Sequence, residues 1–165
     1  MGKDLHNIAT YQAGAKQASV HRTLQKLCDT ILEPFEITKM QWLIIGHVLD
    51  AGKAGIRISD LATALSTTIP YITTAVNILE VRGYLERKSN SQDNRSRLLV
   101  VTDSFIPQCE TIEMTLRQSL REALYIHIKP EEFRIYMKVL YQLDEAAKHA
   151  ANRQQQTAFT RAGGI

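Results

Sequence analysis

The stretch Ile58-Ser59-Asp60-Leu61-Ala62-Thr63-Ala64-Leu65-Ser66-Thr67-Thr68-Ile69-Pro70-Tyr71-Ile72-Thr73-Thr74-Ala75-Val76-Asn77-Ile78-Leu79-Glu80-Val81-Arg82-Gly83 decides the fold of this chain. Ile58, Leu61, Ala62 and Leu65 recur at helical spacing, so a short helix is predicted over residues 59–65. Ser59 is placed to cap it, and Asp60 sits near the positive end of its dipole. After the polar break Ser66-Thr67-Thr68, Ile72, Ala75, Val76 and Leu79 fall at i, i+3, i+4 and i+7. They are the expected buried stripe of a second helix over 69–82. Pro70 is tolerated in the first turn, where its missing N–H has no intrahelical partner. Gly83 can take the left-handed conformation that commonly ends a helix.

Beyond Gly83, residues 84–88 and 98–102 are β-rich runs, and the polar segment 89–97 between them is too long for a two-residue hairpin turn. From Arg82 to Arg97 the bases Arg82, Arg87, Lys88, Arg95 and Arg97 face only the acids Glu86 and Asp93, a local excess of three positive charges. Two short helices, a tight turn and a basic hairpin make a winged helix-turn-helix, and phosphate contact is the natural use of the excess charge.

Four segments carry a resemblance. Thr38-Lys39-Met40-Gln41-Trp42, Ile58-Ser59-Asp60-Leu61-Ala62, Leu79-Glu80-Val81-Arg82-Gly83-Tyr84-Leu85-Glu86-Arg87 and Asp93-Asn94-Arg95-Ser96-Arg97, closing on Val101-Thr102-Asp103, are similar to the MarR family of bacterial transcription regulators. The approach Leu32-Glu33-Pro34-Phe35-Glu36-Ile37-Thr38 to Trp42 resembles the SlyA-like branch, with its aromatic-acid-responsive members, hydroxycinnamate regulators included. The distinctive motifs cover about the middle half of the chain. The implied fold class is mainly α with a small β-hairpin wing, a winged helix-turn-helix core flanked by N- and C-terminal dimerisation helices.

Length and composition agree with a single domain: 165 residues, 44% hydrophobic and 22% charged, suffice for a real core. A net charge of +3 permits nucleic-acid binding without arguing for it. The longest apolar stretch, 42–49, is broken by Gly46 and His47 and falls far short of the ~20 residues that span a bilayer. The first residues carry neither an apolar signal-peptide core nor a myristoylation pattern, so a cytoplasmic protein without a membrane partner is expected. Cys28 and Cys109 lack metal-ligand spacing, and no disulfide framework is expected. Cys28 continues the stripe Val20, Leu24, Leu27 and Ile31 as a small core residue. The alternative is a redox-sensing repressor, since some members of the similar family sense peroxides through a cysteine. No adjacent basic group is evident in the sequence to lower the pKa of Cys28.

The predicted order is a helix over 4–32, another over 39–51, the two short helices, the wing, and helices over 104–127 and 131–151. Within one domain, 1–35 and 104–151 are the expected dimerisation helices, 36–103 the DNA-binding core and 152–165 a flexible tail. Apolar rows such as Ile112, Leu116, Leu120 and Phe133, Met137, Leu140, Ala147 exceed what a lone winged helix needs. The resemblance implies that they interlock two chains into a homodimer, the alternative being an intrachain cap.

The face of the second helix opposite its stripe carries Pro70, Thr73, Thr74, Asn77 and Val81, flanked by Tyr71 and Ile78. It has no Arg or Lys between Thr67 and Val81, which excludes the bidentate arginine-to-guanine contact. Asn77 suits adenine, and the methyls of Thr73 and Thr74 suit thymine, so an A·T-rich, pseudo-palindromic double-stranded operator is expected. The DNA-binding candidates are therefore Pro70, Tyr71, Thr73, Thr74 and Asn77 on the helix and Arg87, Lys88, Asp93, Arg95 and Arg97 on the wing. The resemblance implies that Asp93 holds a neighbouring arginine while Arg95 reaches toward the minor groove. Asn94 stands where many similar chains carry a second arginine.

No catalytic residues, metal ligands or cofactor are expected: the five histidines are scattered, and HExxH, GxSxG and P-loop patterns are absent. The resemblance further places Arg22, Thr38 and Trp42 around a pocket for a small aromatic carboxylate. A guanidinium fork for the carboxylate and an indole wall for the ring fit that chemistry. The expected function is a transcriptional regulator, a repressor released from its operator by such an acid. A winged-helix protein-interaction adaptor is the rival from another class, which the weakly basic recognition face leaves open.

Overall fold

The computed structural model describes residues 10–90 and 93–162, with side chains described over 11–89 and 97–150. The chain divides into two compact units, Met1–Leu120 and Arg121–Ile165. In the first, helix α1 (Thr10–Leu32) runs through a 3-10 turn (Glu33–Phe35) into α2 (Lys39–Ala51). A second 3-10 turn (Gly52–Ala54), α3 (Ile58–Ala64), α4 (Ile69–Val81), strands β1 (Leu85–Asn90) and β2 (Asp93–Val101), and α5 (Ile106–Leu120) follow. The second unit holds a π-helical turn (Arg121–Tyr125) and α6 (Pro130–Ala162).

The core of the first unit is where the helical stripes meet. Ile72, Val76 and Leu79 of α4 are completely buried, as are Ile44, Ile45 and Val48 of α2 and Leu61 of α3. They pack with Leu32, Leu85, Leu99, Phe105 and Ile112 in one cluster. The period-3.6 pattern of α4 is thus its packing pattern, with Ala75 at the half-buried margin. Thr38 starts α2 with a capping box: its Oγ1 accepts from the Gln41 amide at 3.2 Å, and the Gln41 side chain accepts from the Thr38 amide at 2.9 Å. Gly83 ends α4 at φ +73°, and the Tyr84 amide reaches back to the Leu79 carbonyl at 2.9 Å.

Four expectations need correction. Ser59 does not cap α3; Arg57 holds the N-cap position without a side-chain bond, and the Ser59 hydroxyl donates to Asp60 instead. The helix begins a residue earlier than predicted, which moves Ser59 inside it. The segment 89–97 is not an open loop: β1 continues to Asn90 and β2 starts at Asp93, with Ser89 opposite Arg97. Strand pairing uses backbone groups and tolerates polar side chains on both faces of a projecting hairpin. Val20 is 48% exposed, so the α1 stripe is half-buried only from Leu24 onward, and Leu32 alone of the described α1 residues is fully buried. Finally, α6 continues to Ala162, where a flexible tail was expected from residue 152. Between Pro130 and Gly163 the sequence offers alanines and glutamines and no further proline or glycine, so nothing stops the helix earlier.

The sequence also gave no sign of a third β element. Ile56 pairs with Leu99 in an isolated antiparallel bridge, its amide donating at 3.1 Å and its carbonyl accepting at 2.8 Å. Gly55 permits this approach, because a Cβ there would lie 2.9 Å from the Leu99 carbonyl oxygen. Its φ of +70° and ψ of 172° form a combination essentially confined to glycine. Gly55→Ala is therefore expected to destabilise the unit by about 2 kcal/mol, read as a lower urea midpoint at unchanged slope. A midpoint equal to wild type would contradict this account of the hairpin base.

Within the second unit, Tyr125 and Phe133 meet edge-on at 5.0 Å, and Phe133 lies 6.3 Å from Tyr136. The amide of Lys129 donates to Glu132 at 3.0 Å, closing the start of α6 that Pro130 and the following acids announce. Ile135, Val139, Tyr141 and Leu143 remain exposed along this helix. Ile112 and Leu116, by contrast, are buried in the first unit's own core, so that row folds back within the chain.

Candidate nucleic-acid interface

Burying one face of α4 leaves the other in solvent. Pro70, Tyr71, Thr74 and Asn77 are exposed and Thr73 is partly so. Ile69, Ile78 and Val81 are exposed as well, Val81 at 90%. The threonine hydroxyls are turned inward along the helix. Thr73 donates to the Ile69 carbonyl at 2.8 Å, and Thr74 to the Pro70 carbonyl at 3.1 Å. With its hydroxyl hydrogen occupied by the backbone, each threonine offers an outside contact its methyl and an oxygen that can accept but not donate.

The wing cations have partners of their own. Arg87 on β1 holds Glu80 of α4 at 3.0 Å and donates to the Asn77 side-chain oxygen at 2.9 Å. Lys88 pairs with Glu86 at 3.1 Å on the open surface, where such a pair adds little stability. Arg97 donates to the Ser89 hydroxyl across the hairpin at 3.0 Å and is exposed. Arg82 turns away from the wing and donates to the backbone carbonyl of Glu36, whose carboxylate lies 3.9 Å from it. Glu36 stands at φ +55° in the link between the 3-10 turn and α2, so Arg82 braces the end of α4 against that link. The predicted local excess of charge thus loses Arg82, and Glu80 enters the balance beside Arg87. Neither pairing is visible in sequence, because the partners are 46 residues apart in one case and cross from helix to strand in the other. The side chains of Asp93 and Arg95 lie outside the described residues.

The three effector candidates are distributed over two helices. Arg22 is exposed on α1, and Trp42 is half-buried on α2 against the core. Thr38 joins Trp42 only through the backbone, the Trp42 amide donating to the Thr38 carbonyl at 2.9 Å, while the Thr38 hydroxyl serves the capping box. Cys28 is half-buried and its pKa is raised, because burial outweighs the nearby Lys39. Lys39 is a basic neighbour that sequence inspection missed. Burial pushes the Cys109 thiol up to about 11. Among the described residues no group of three or more His, Cys, Asp or Glu side chains is placed to hold a metal, and no helix is long and apolar enough to cross a membrane.

Residues 37–96, from the start of α2 into the wing, match the model of the MarR family. The chain is similar to the apo form of wild-type MarR from E. coli at 24% identity and a TM-score of 0.68, over 82% of this chain and 96% of that one. It is similar to the MepR–DNA complex from S. aureus at 23% identity and a TM-score of 0.67, over 84% and 99%. CouR from Rhodococcus jostii, solved bound to p-coumaroyl-CoA, aligns at 15% identity and a TM-score of 0.70, over 86% and 94%. These likenesses show the fold.

Proposed function

We infer from the match of residues 37–96 to the MarR family model that this chain is a DNA-binding transcriptional regulator without enzymatic activity, acting in the cytoplasm as a homodimer. The observation that carries the reading is the exposed side of α4, with Thr73, Thr74 and Asn77, set beside a basic hairpin whose strand β1 is tied to it through Arg87. That arrangement presents a helix for the major groove and a wing for the backbone or minor groove. Lacking Arg and Lys on its recognition face, α4 suits A·T-rich half-sites. The exposed apolar side chains of α6, together with Tyr11 and Val20 of α1, supply surface for a second copy. We assign dimerisation to residues 1–35 and 104–151, through the side chains there that the chain's own core does not take up.

We further propose that the protein is a repressor released by a small aromatic or phenolic acid, such as a hydroxycinnamate, with its carboxylate on Arg22 and its ring against Trp42. Arg22 is exposed and forms no ion pair with the described residues, and Trp42 offers a partly open indole. Release follows when the acid prefers a spacing of the two recognition helices that DNA does not. A coupling of only ~1.4 kcal/mol gives a tenfold loss of DNA affinity. The raised pKa of Cys28 argues against the redox alternative, since the thiolate is the reactive form. Exposed Ile78 and Val81 are what would favour a protein-interaction adaptor.

A mobility shift with the DNA upstream of the protein's own gene tests the reading: a retarded complex that dissolves on adding the acid is expected, and no complex at any salt concentration would refute DNA binding. Trp42 is the only tryptophan, so its fluorescence reports the acid directly. Linkage requires operator DNA to weaken acid binding about tenfold. Equal acid affinity with and without operator would refute the switch, and unchanged affinity in Arg22→Ala would refute the placement of the carboxylate.

A further inference from the structure

The hydrogen bonds of two threonines decide what α4 offers to a base edge. Thr73 and Thr74 each donate to a carbonyl one turn back, that of Ile69 at 2.8 Å and that of Pro70 at 3.1 Å. Those hydrogens are committed to the helix. A methyl and an accepting oxygen remain on each side chain. Opposite the buried stripe, Pro70, Thr74, Asn77 and Val81 follow one another at helical spacing, with Thr73 and Ile78 on the flanks. Glu80 is the only charged residue from Thr67 to Val81, and Arg87 holds its carboxylate at 3.0 Å. The Asn77 amide and the Tyr71 hydroxyl are then the exposed donors that α4 has left, and the rest of the face is largely apolar. In the major groove the apolar group that separates one base from another is the C5-methyl of thymine. Cytosine lacks it, and 5-methylcytosine carries a methyl on the same carbon.

We propose that α4 recognises its site through C5-methyl groups, with the methyls of Thr73 and Thr74 as the specificity-determining contacts, so that methylation of a cytosine standing in place of such a thymine strengthens binding. This rests on the DNA-binding reading above and deepens it. Both threonines lie in the first turns of α4, the part of a recognition helix that meets base edges. The ligand class is duplex DNA bearing 5-methylpyrimidines, and the methylation state of the DNA becomes an input to regulation. Recognition by hydrogen bonds alone gives a different result, because uracil presents the same O4 acceptor as thymine and pairs with adenine in the same way.

The test uses the full chain and duplexes built on a site selected in vitro, in which each thymine of one half-site is replaced in turn by uracil. That change removes the methyl and keeps the groove's hydrogen-bonding groups. At the positions that Thr73 and Thr74 read, affinity should fall about fourfold, the worth of one buried carbon group. With cytosine and guanine as the pair at those positions, the 5-methylcytosine duplex should bind about fourfold more tightly than the cytosine duplex. Thr73→Ser and Thr74→Ser keep the hydroxyl and its helical bond and lose only the methyl, so each should bring the thymine-to-uracil ratio at its own position close to one. Thr73→Val and Thr74→Val keep a methyl without the hydroxyl and should retain the wild-type ratio. Partial unfolding scales affinity for every duplex alike, so these ratios stay readable in a weakened variant. A selected site without thymine in its half-sites, wild-type ratios of one at every thymine, or ratios that both serine variants leave unchanged would overturn the proposal and leave the DNA-binding reading standing. Failure of wild type to select any sequence overturns that reading and this inference with it.

Discussion

Leu79→Ala should cost the protein about 2–5 kcal/mol of stability and reduce its DNA binding in proportion to the folded fraction lost. Leu79 is completely buried on the inner side of α4, one turn before the Gly83 stop, and its carbonyl accepts the Tyr84 amide that turns the chain into the wing. Truncation removes apolar contacts and leaves a cavity that neighbours such as Leu85 and Leu99 fill only in part. The expected signature is a lower denaturant midpoint with an unchanged slope, together with unaltered base preference in the molecules that remain folded. Val81→Ala, two residues on but 90% exposed, should change stability by less than about 0.5 kcal/mol. If Leu79→Ala were as mild as Val81→Ala, the orientation of α4 would be wrong, and with it every assignment of a DNA-facing residue.

The second large effect concerns the wing. Arg95→Ala combined with Arg97→Ala should weaken binding to all DNA sequences, specific and non-specific alike. Each phosphate contact contributes about 0.9 to the slope of log K against log salt, so the pair should lower the slope by about 1.8. At physiological ionic strength that corresponds to roughly thirtyfold in affinity. Arg97 is exposed and held across the hairpin by Ser89, a weak neutral-oxygen contact that a phosphate readily replaces. Arg95 enters from its place in the Asp93-Asn94-Arg95 stretch alone. A double variant with wild-type affinity and salt slope would remove the wing as the electrostatic anchor.

What the sequence made legible is what local rules govern. The stripe Ile72, Val76, Leu79 repeats at helical spacing, and all three residues are buried. Pro70 lies in the first turn of α4 and Gly83 just past its end, where their backbone preferences put them. The two β-rich runs became one antiparallel hairpin. What escaped depends on distance in the chain or on surroundings outside it. The Ile56–Leu99 bridge involves one residue on one side, too short for any alternation to register. Arg87 finds Glu80 and Asn77 only because the turn at Gly83 brings β1 back along α4. Arg82 is close to the wing in sequence, yet it points to Glu36. Val20 continues an apolar stripe, yet about half of it is left exposed by the described residues. The helix beyond residue 152 runs past the expected tail because a polar composition does not stop a helix when neither glycine nor proline interrupts it.

The central claim, that α4 and the wing read DNA as a symmetric pair, is tested most directly by selecting bound duplexes from a random pool with the full chain and weighing the resulting complex. The account predicts one pseudo-palindromic, A·T-rich site with half-sites about 10 bp apart, bound by two copies of the chain. A pool that enriches no sequence, or an asymmetric site occupied by a single copy, would contradict it.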